Sequence, residues 1–124
     1  MAIRTRVMPD RGLIVSQALG VFTLDDLQAH RARVMAHPQY VGTMGLLMDL
    51  RRVTRFDIAT GGIRAQASTL DSSRYARIAV VVRDDVAYGL ARMFQAFTGD
   101  RYGDEGLRTF RESMEAWRWI RAGV

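Results

Sequence analysis

Two short, nearly continuous apolar runs constrain this chain more than any other feature. They are Thr43-Met44-Gly45-Leu46-Leu47-Met48-Asp49-Leu50 and Ile78-Ala79-Val80-Val81-Val82. A strand with one wet face alternates apolar and polar residues, whereas a run apolar on both sides belongs to a sheet covered on both faces, as parallel sheets are. Each run is followed by a segment of helical periodicity, so the pair predicts strand–helix units with right-handed crossovers. The two sides differ in bulk. Met44, Leu46 and Met48, with Ile78, Val80 and Val82, form a bulky set expected to face helices, while Gly45, Leu47, Ala79 and Val81 form a thinner set. A second copy of the chain is expected over the thin side, which predicts a homodimer.

The remaining elements fall around these two. Ile3, Thr5 and Val7 alternate with Arg4 and Arg6, Pro9-Asp10-Arg11-Gly12 is a turn, and Leu13 to Ala18 is the return strand of a hairpin, ended by Gly20. Thr23 is a good N-cap with Asp26 at the capping-box position, and Phe22 with Leu27 makes a hydrophobic staple. The helix so opened carries Leu24, Leu27, Val34 and Met35 and stops at His37-Pro38. A second helix is expected over Asp57 to Leu70, weakened by Gly61-Gly62. A third begins at Asp84 or Asp85 and presents Val86, Leu90, Met93, Phe94 and Phe97, closing at Thr98-Gly99-Asp100. Leu107 to Phe110 reads as an edge strand, and Glu112 to Arg121 as a last helix burying Ala116, Ile120 and one of Trp117 and Trp119. The order is β-β-α-β-α-β-α-β-α: an α/β domain over residues 1–124, with a five-stranded, mostly parallel sheet after an N-terminal β-hairpin, and four helices.

Composition removes several functions. The 124 residues include no cysteine, so there is no disulfide, thiolate metal site or thiol nucleophile. No apolar run approaches the roughly 20 residues that span a bilayer, and Met1 to Arg6 lacks a signal peptide's apolar stretch, which places the chain in the cytoplasm. The net charge of +5 comes from 18 basic residues, all arginine, spread from Arg4 to Arg121. They form no basic stripe interleaved with aromatics, so nucleic acid is not the expected partner. His30 and His37 have no convincing third ligand for zinc, and His30 reads as a boundary residue. No serine sits in a nucleophile elbow, and no Walker or dinucleotide glycine pattern occurs. No cofactor is called for.

Met48-Asp49-Leu50-Arg51-Arg52-Val53-Thr54-Arg55-Phe56-Asp57 is similar to the strand-to-loop segment of anti-sigma-factor antagonist (STAS) domains. Those run Asp-Leu, then a valine three residues after the leucine, then an aspartate opening the switch helix. Arg77 to Val81, Ala87 to Phe94, and Phe110-Arg111 through Ala116, Trp119 and Ile120 resemble the SpoIIAA-like (STAS/SEC14-type) small bacterial proteins. The resemblance covers essentially the whole chain, and Tyr88-Gly89-Leu90-Ala91-Arg92-Met93-Phe94 is its most specific part. It implies a SpoIIAA-like/STAS-type fold, a non-enzymatic role and a regulatory protein partner. Its SEC14-like side implies an apolar small ligand. Regulatory STAS domains are phosphorylated on the serine after the aspartate matching Asp57. Here that position is Ile58, followed by Ala59, and the first hydroxyl is Thr60. The phospho-switch therefore does not carry over.

The candidate site residues are Asp49, Arg51, Asp57, Thr60, Asp85, Tyr88 and Arg92. Parallel strands would bring Asp49 and Asp85 to one sheet edge, where open α/β sheets bind ligands and paired carboxylates serve as acid and base. The structural alternative has Asp85 capping its helix and Asp49 holding Arg51 or Arg52. Tyr88 and Arg92, four apart on one helix, are placed to hold an anionic head group, with Gly89 permitting close approach. This alternative reading makes the chain a small-ligand binder or an enzyme.

Overall fold

A computed structural model describes residues 3–68, 74–98 and 106–123. The elements are β1 (Ile3–Met8), a 3-10 turn (Pro9–Arg11), β2 (Leu13–Thr23), α1 (Leu24–Ala36), β3 (Gly45–Asp57), α2 (Thr60–Ser68), β4 (Ile78–Val81), α3 (Asp85–Thr98), β5 (Leu107–Phe110) and α4 (Ser113–Ala122). The five strands form one sheet in the order β1-β2-β3-β4-β5. β1 runs antiparallel to β2, and every other pair is parallel. The hairpin turn works as the sequence indicates: Gly12 takes φ 64°, a left-handed conformation, and donates its N–H to the Pro9 carbonyl. The predicted closing turn at Gly99-Asp100 and the end of the second helix at Leu70 lie outside the described residues.

Both central apolar runs are strands lying side by side, with Leu46 opposite Ile78 and Asp49 opposite Val81. The bulky set faces α1, α2 and α3, where Leu46 and Ile78 join Ile14, Val34, Met44, Tyr75 and Leu107 in one buried cluster. The thin set is covered as well, but by α4 rather than by a second copy: Leu47, Ala79 and Val81 pack on Ala116 and Ile120. The bareness from which a homodimer was expected is therefore absent. Alanine and valine on this side let α4 lie close to the sheet, and Ala79, Val81, Ala116 and Ile120 are fully buried. Trp117 and Trp119 both flank this cluster, half-buried, and neither is wholly excluded from it.

β2 and β3 run well past the rest of the sheet. β2 does not stop at Gly20 but passes through it in a left-handed conformation, φ 73°, and β3 continues beyond Leu50 to Asp57. Two register shifts, between Gln17 and Leu19 and between Gly20 and Val21, displace the pairing of this overhang. Each extra residue moves side chains to the other face. As a result Leu50, Val53 and Phe56, spaced by threes, all join one apolar cluster with Ile3, Ala18 and Phe22.

The helix starts carry their expected caps. Thr23 accepts from the Asp26 N–H at 3.2 Å while Asp26 accepts from the Thr23 N–H at 3.0 Å. Leu27 packs with Phe22 against the same cluster, completing the staple. On α3, Asp84 is the capping acid, accepting from the Ala87 N–H at 2.8 Å. The buried stripe of α3 is rotated from the predicted one: Ala87, Ala91, Gln95 and Thr98 face inward, and Val86 is 69% exposed.

Candidate functional site

The sheet's bulky face is not completely filled by its three helices. An apolar cavity of about 140 Å³ lies between them, and it is partly open to solvent. β3 and β4 form its floor with Leu46, Met48, Leu50, Ile78 and Val80. α3 contributes Ala87, Leu90, Ala91 and Phe94; α2 contributes Ile63 and Gln66; Leu27, His30 and Arg31 come from α1. Ile58, Arg74 and Tyr75 complete the wall from the connections. Two features of the sequence keep this space open. Ala87 and Ala91 stand four apart on α3 where larger side chains would reach the floor. Leu50 shares the face of Leu46 and Met48 by plain alternation, and Phe56 joins the lining beyond the two register shifts.

The polar groups in the wall are specific. His30 is 2% exposed, against the expectation of a boundary residue, and its Nε2 lies 2.7 Å from the equally buried Ser16 hydroxyl. Ser16 in turn meets the Thr5 hydroxyl at 3.2 Å, so the pair is tied across β1 and β2. Burial pushes the His30 pKa down to about 4, with Arg33 adding a smaller effect in the same direction. The imidazole is therefore neutral at pH 7. Tyr40 donates its hydroxyl to the Arg74 carbonyl at 2.6 Å, and its ring meets Tyr75 edge-on at 6.3 Å. This fixes the backbone beside Arg74.

None of the seven candidate residues lines this cavity. They divide into three groups. Asp49 follows Leu47 on the α4 side and is gripped by Arg51, which donates its backbone N–H and Nε to Oδ1 at 3.0 Å and Nη2 to Oδ2 at 2.8 Å. Burial acts to raise the Asp49 pKa, but the side-chain and backbone hydrogen bonds from Arg51 outweigh it and hold the carboxyl below its ordinary value. Asp85 pairs with Arg111 at 2.8 Å, and the same guanidinium lies 4.5 Å from the centre of the Tyr88 ring. Asp57, Thr60 and Arg92 are exposed and join neither group. Gly89 is exposed too, with nothing within 4 Å of where a Cβ would stand, so close approach is not its role. Asp49 and Asp85 are thus each engaged by an arginine rather than paired as acid and base.

The cavity is made of ordinary core residues, which no motif marks in the sequence. Its signals were the alanines at 87 and 91 and the arginine at 31. Arg31 sits among Leu27, His30 and Val34 at the spacing of an inward stripe.

Among the comparisons with known proteins, the solved structures bear on the fold. No family profile and no curated protein matches this sequence. Among solved structures it is similar to an uncharacterized protein of the DUF3478 family with a SpoIIAA-like fold from Shewanella loihica PV-4, with a TM-score of 0.62 at 15% identity over 96% of this chain and 92% of that one. It is also similar to an anti-sigma factor antagonist from Mycobacterium paratuberculosis, with a TM-score of 0.56 at 20% identity over 97% of this chain and 95% of that one. The chain therefore has a SpoIIAA-like α/β fold, as its resemblance to STAS domains implied. Among the described residues, no helix is long and apolar enough to cross a membrane.

Proposed function

We propose that this chain is a non-enzymatic binding domain whose ligand is a small, largely apolar molecule seated between the sheet and helices α1 to α3. The carrying observation is the cavity of about 140 Å³ with its almost wholly apolar wall. An engineered apolar cavity of about 150 Å³ stays dry and binds benzene, so this one suits a single ring or roughly six carbons. Ile58 supports the reading. It stands where regulatory STAS domains carry their phosphorylated serine, and here it is part of the cavity wall. An isoleucine at that position adds apolar surface where a hydroxyl would be a substrate for a kinase.

Benzene titrated into the protein tests this directly. Saturable methyl chemical-shift changes confined to the Leu46, Ile78 and Val80 region are expected. Shifts that are absent, or that rise linearly to the solubility limit, would remove the proposal. Native mass spectrometry of freshly purified protein adds a second readout, a retained small molecule released by mild activation.

Association with a protein is the second reading. It is favoured by the printed description of the mycobacterial neighbour as an anti-sigma factor antagonist. A second copy of the chain is one form of that reading, and a strict monomer by sedimentation at high concentration would exclude it.

A further inference from the structure

The charge at the cavity carries an inference that rests on the binding proposal and names the ligand's chemistry. Two arginines, Arg31 and Arg74, line the cavity, and no carboxylate does so among the described residues. Both are half-buried. Neither forms an ion pair among the described residues; the ion pairs present there are Arg51–Asp49 and Arg111–Asp85. The Nε of Arg74 is fully buried with no hydrogen-bond partner. A buried guanidinium donor left without an acceptor is desolvated without compensation, and most buried donors find a partner. His30, the histidine in the wall, is held neutral.

Arg31 occupies an inward-stripe position of α1, between His30 and Val34, where apolar residues are the rule. Arg74 is positioned by its carbonyl, which accepts from the Tyr40 hydroxyl, and by Tyr75 beside it, which is 3% exposed. A guanidinium offers a planar fork of donors that matches an oxyanion in two-point contact. We propose that the cavity takes an amphiphile: an apolar body of about six carbons in the space, and a single oxyanion head, carboxylate or phosphate, held by Arg31 and Arg74. The arginines then supply selection by charge and the cavity supplies burial.

A matched octyl series separates the possibilities: octanoate, octyl phosphate, octanol and octylammonium, titrated at pH 7.5 by calorimetry or chemical shift. Octanoate or octyl phosphate is expected to bind at least ten-fold tighter than octanol, with octylammonium weakest; the better of the two anions identifies the head. In Arg31→Met/Arg74→Met, the anion preference is expected to fall to within two-fold while octanol keeps its wild-type affinity. That retained octanol binding shows the cavity intact. Equal binding of octanol and the anions by the wild type overturns this inference and leaves the binding proposal standing. So does anion selectivity that survives in the double variant. Failure of every octyl probe to bind overturns this inference, and failure of benzene as well overturns both.

Discussion

Lowering the pH from 7.5 to 5 provides a sharp test of the packing around the cavity, because His30 must lose stability there. The imidazole is almost fully buried against Ser16 and has its pKa pushed from 6.5 down to about 4. In the unfolded chain it takes up a proton near pH 6.5, while in the folded protein it stays neutral until about pH 4. Between those values the unfolded state binds more protons, so unfolding becomes easier as the pH falls. One pKa unit corresponds to 1.36 kcal/mol, so His30 alone removes about 2 kcal/mol by pH 5 and about 3 kcal/mol once the pH is below 4. Below that the contribution is flat. Asp49 acts in a lower range: its carboxyl is held below its ordinary 3.8, so its contribution is lost only in stronger acid. The window from pH 6.5 to 4 therefore isolates the histidine. Urea unfolding of the wild type and of His30→Gln, at half-unit pH steps, measures it. The variant is less stable at neutral pH, but its stability is expected to decline by about 2 kcal/mol less than the wild type's between pH 7.5 and 5. With a urea slope of about 1–3 kcal/mol per molar, that is a midpoint difference near 1 M. Parallel pH curves for the two proteins, or a wild-type His30 titrating near 6.5 by NMR, would refute the buried-neutral assignment.

Other residues give equally definite expectations. Gly89→Ala replaces an exposed glycine inside α3 where nothing lies within 4 Å of the new Cβ, and should raise stability by roughly 0.5–1 kcal/mol in thermal or urea unfolding. Thr23→Ala breaks the reciprocal capping box of α1 and should cost about 1 kcal/mol. Asp49→Asn weakens the three hydrogen bonds from Arg51. A loss of about 1 kcal/mol is expected at pH 7, fading as acid protonates the wild-type carboxyl; a loss independent of pH would argue against the charge-assisted pairing.

The sequence was most informative where backbone demands are strict. Paired apolar runs at Leu46 and Ile78, the Gly12 turn and the Thr23–Asp26 box each have few alternative conformations, and each stands where it was read. Periodicity alone misjudged α3, because Val86 and Ala87 are both apolar and one residue rotates the stripe by 100°. Larger side chains drew the reading toward Val86, yet the helix buries the alanines because they allow it close to the sheet. The apolar run of β3 ends at Leu50, and its overhang, Arg51-Arg52-Val53-Thr54-Arg55, reads as a charged loop. Its pairing with β2 decides otherwise. The cavity was illegible for a different reason: an empty space is a relation among residues far apart in sequence, and no motif marks it. Asp49, Asp85, Tyr88 and Arg92 drew attention as reactive groups, and the structure engages the first three with arginines and leaves the fourth in solvent.

Ala91→Leu puts the central claim at risk most simply, because Ala91 faces the cavity from α3. Filling empty apolar space with three added carbons gains about 0.8 kcal/mol per carbon buried, so the unfolding temperature should hold or rise by several degrees as benzene binding disappears. Forcing the same carbons into a closely packed core costs about 1–3 kcal/mol. An unfolding temperature that drops by several degrees would mean that no such space exists.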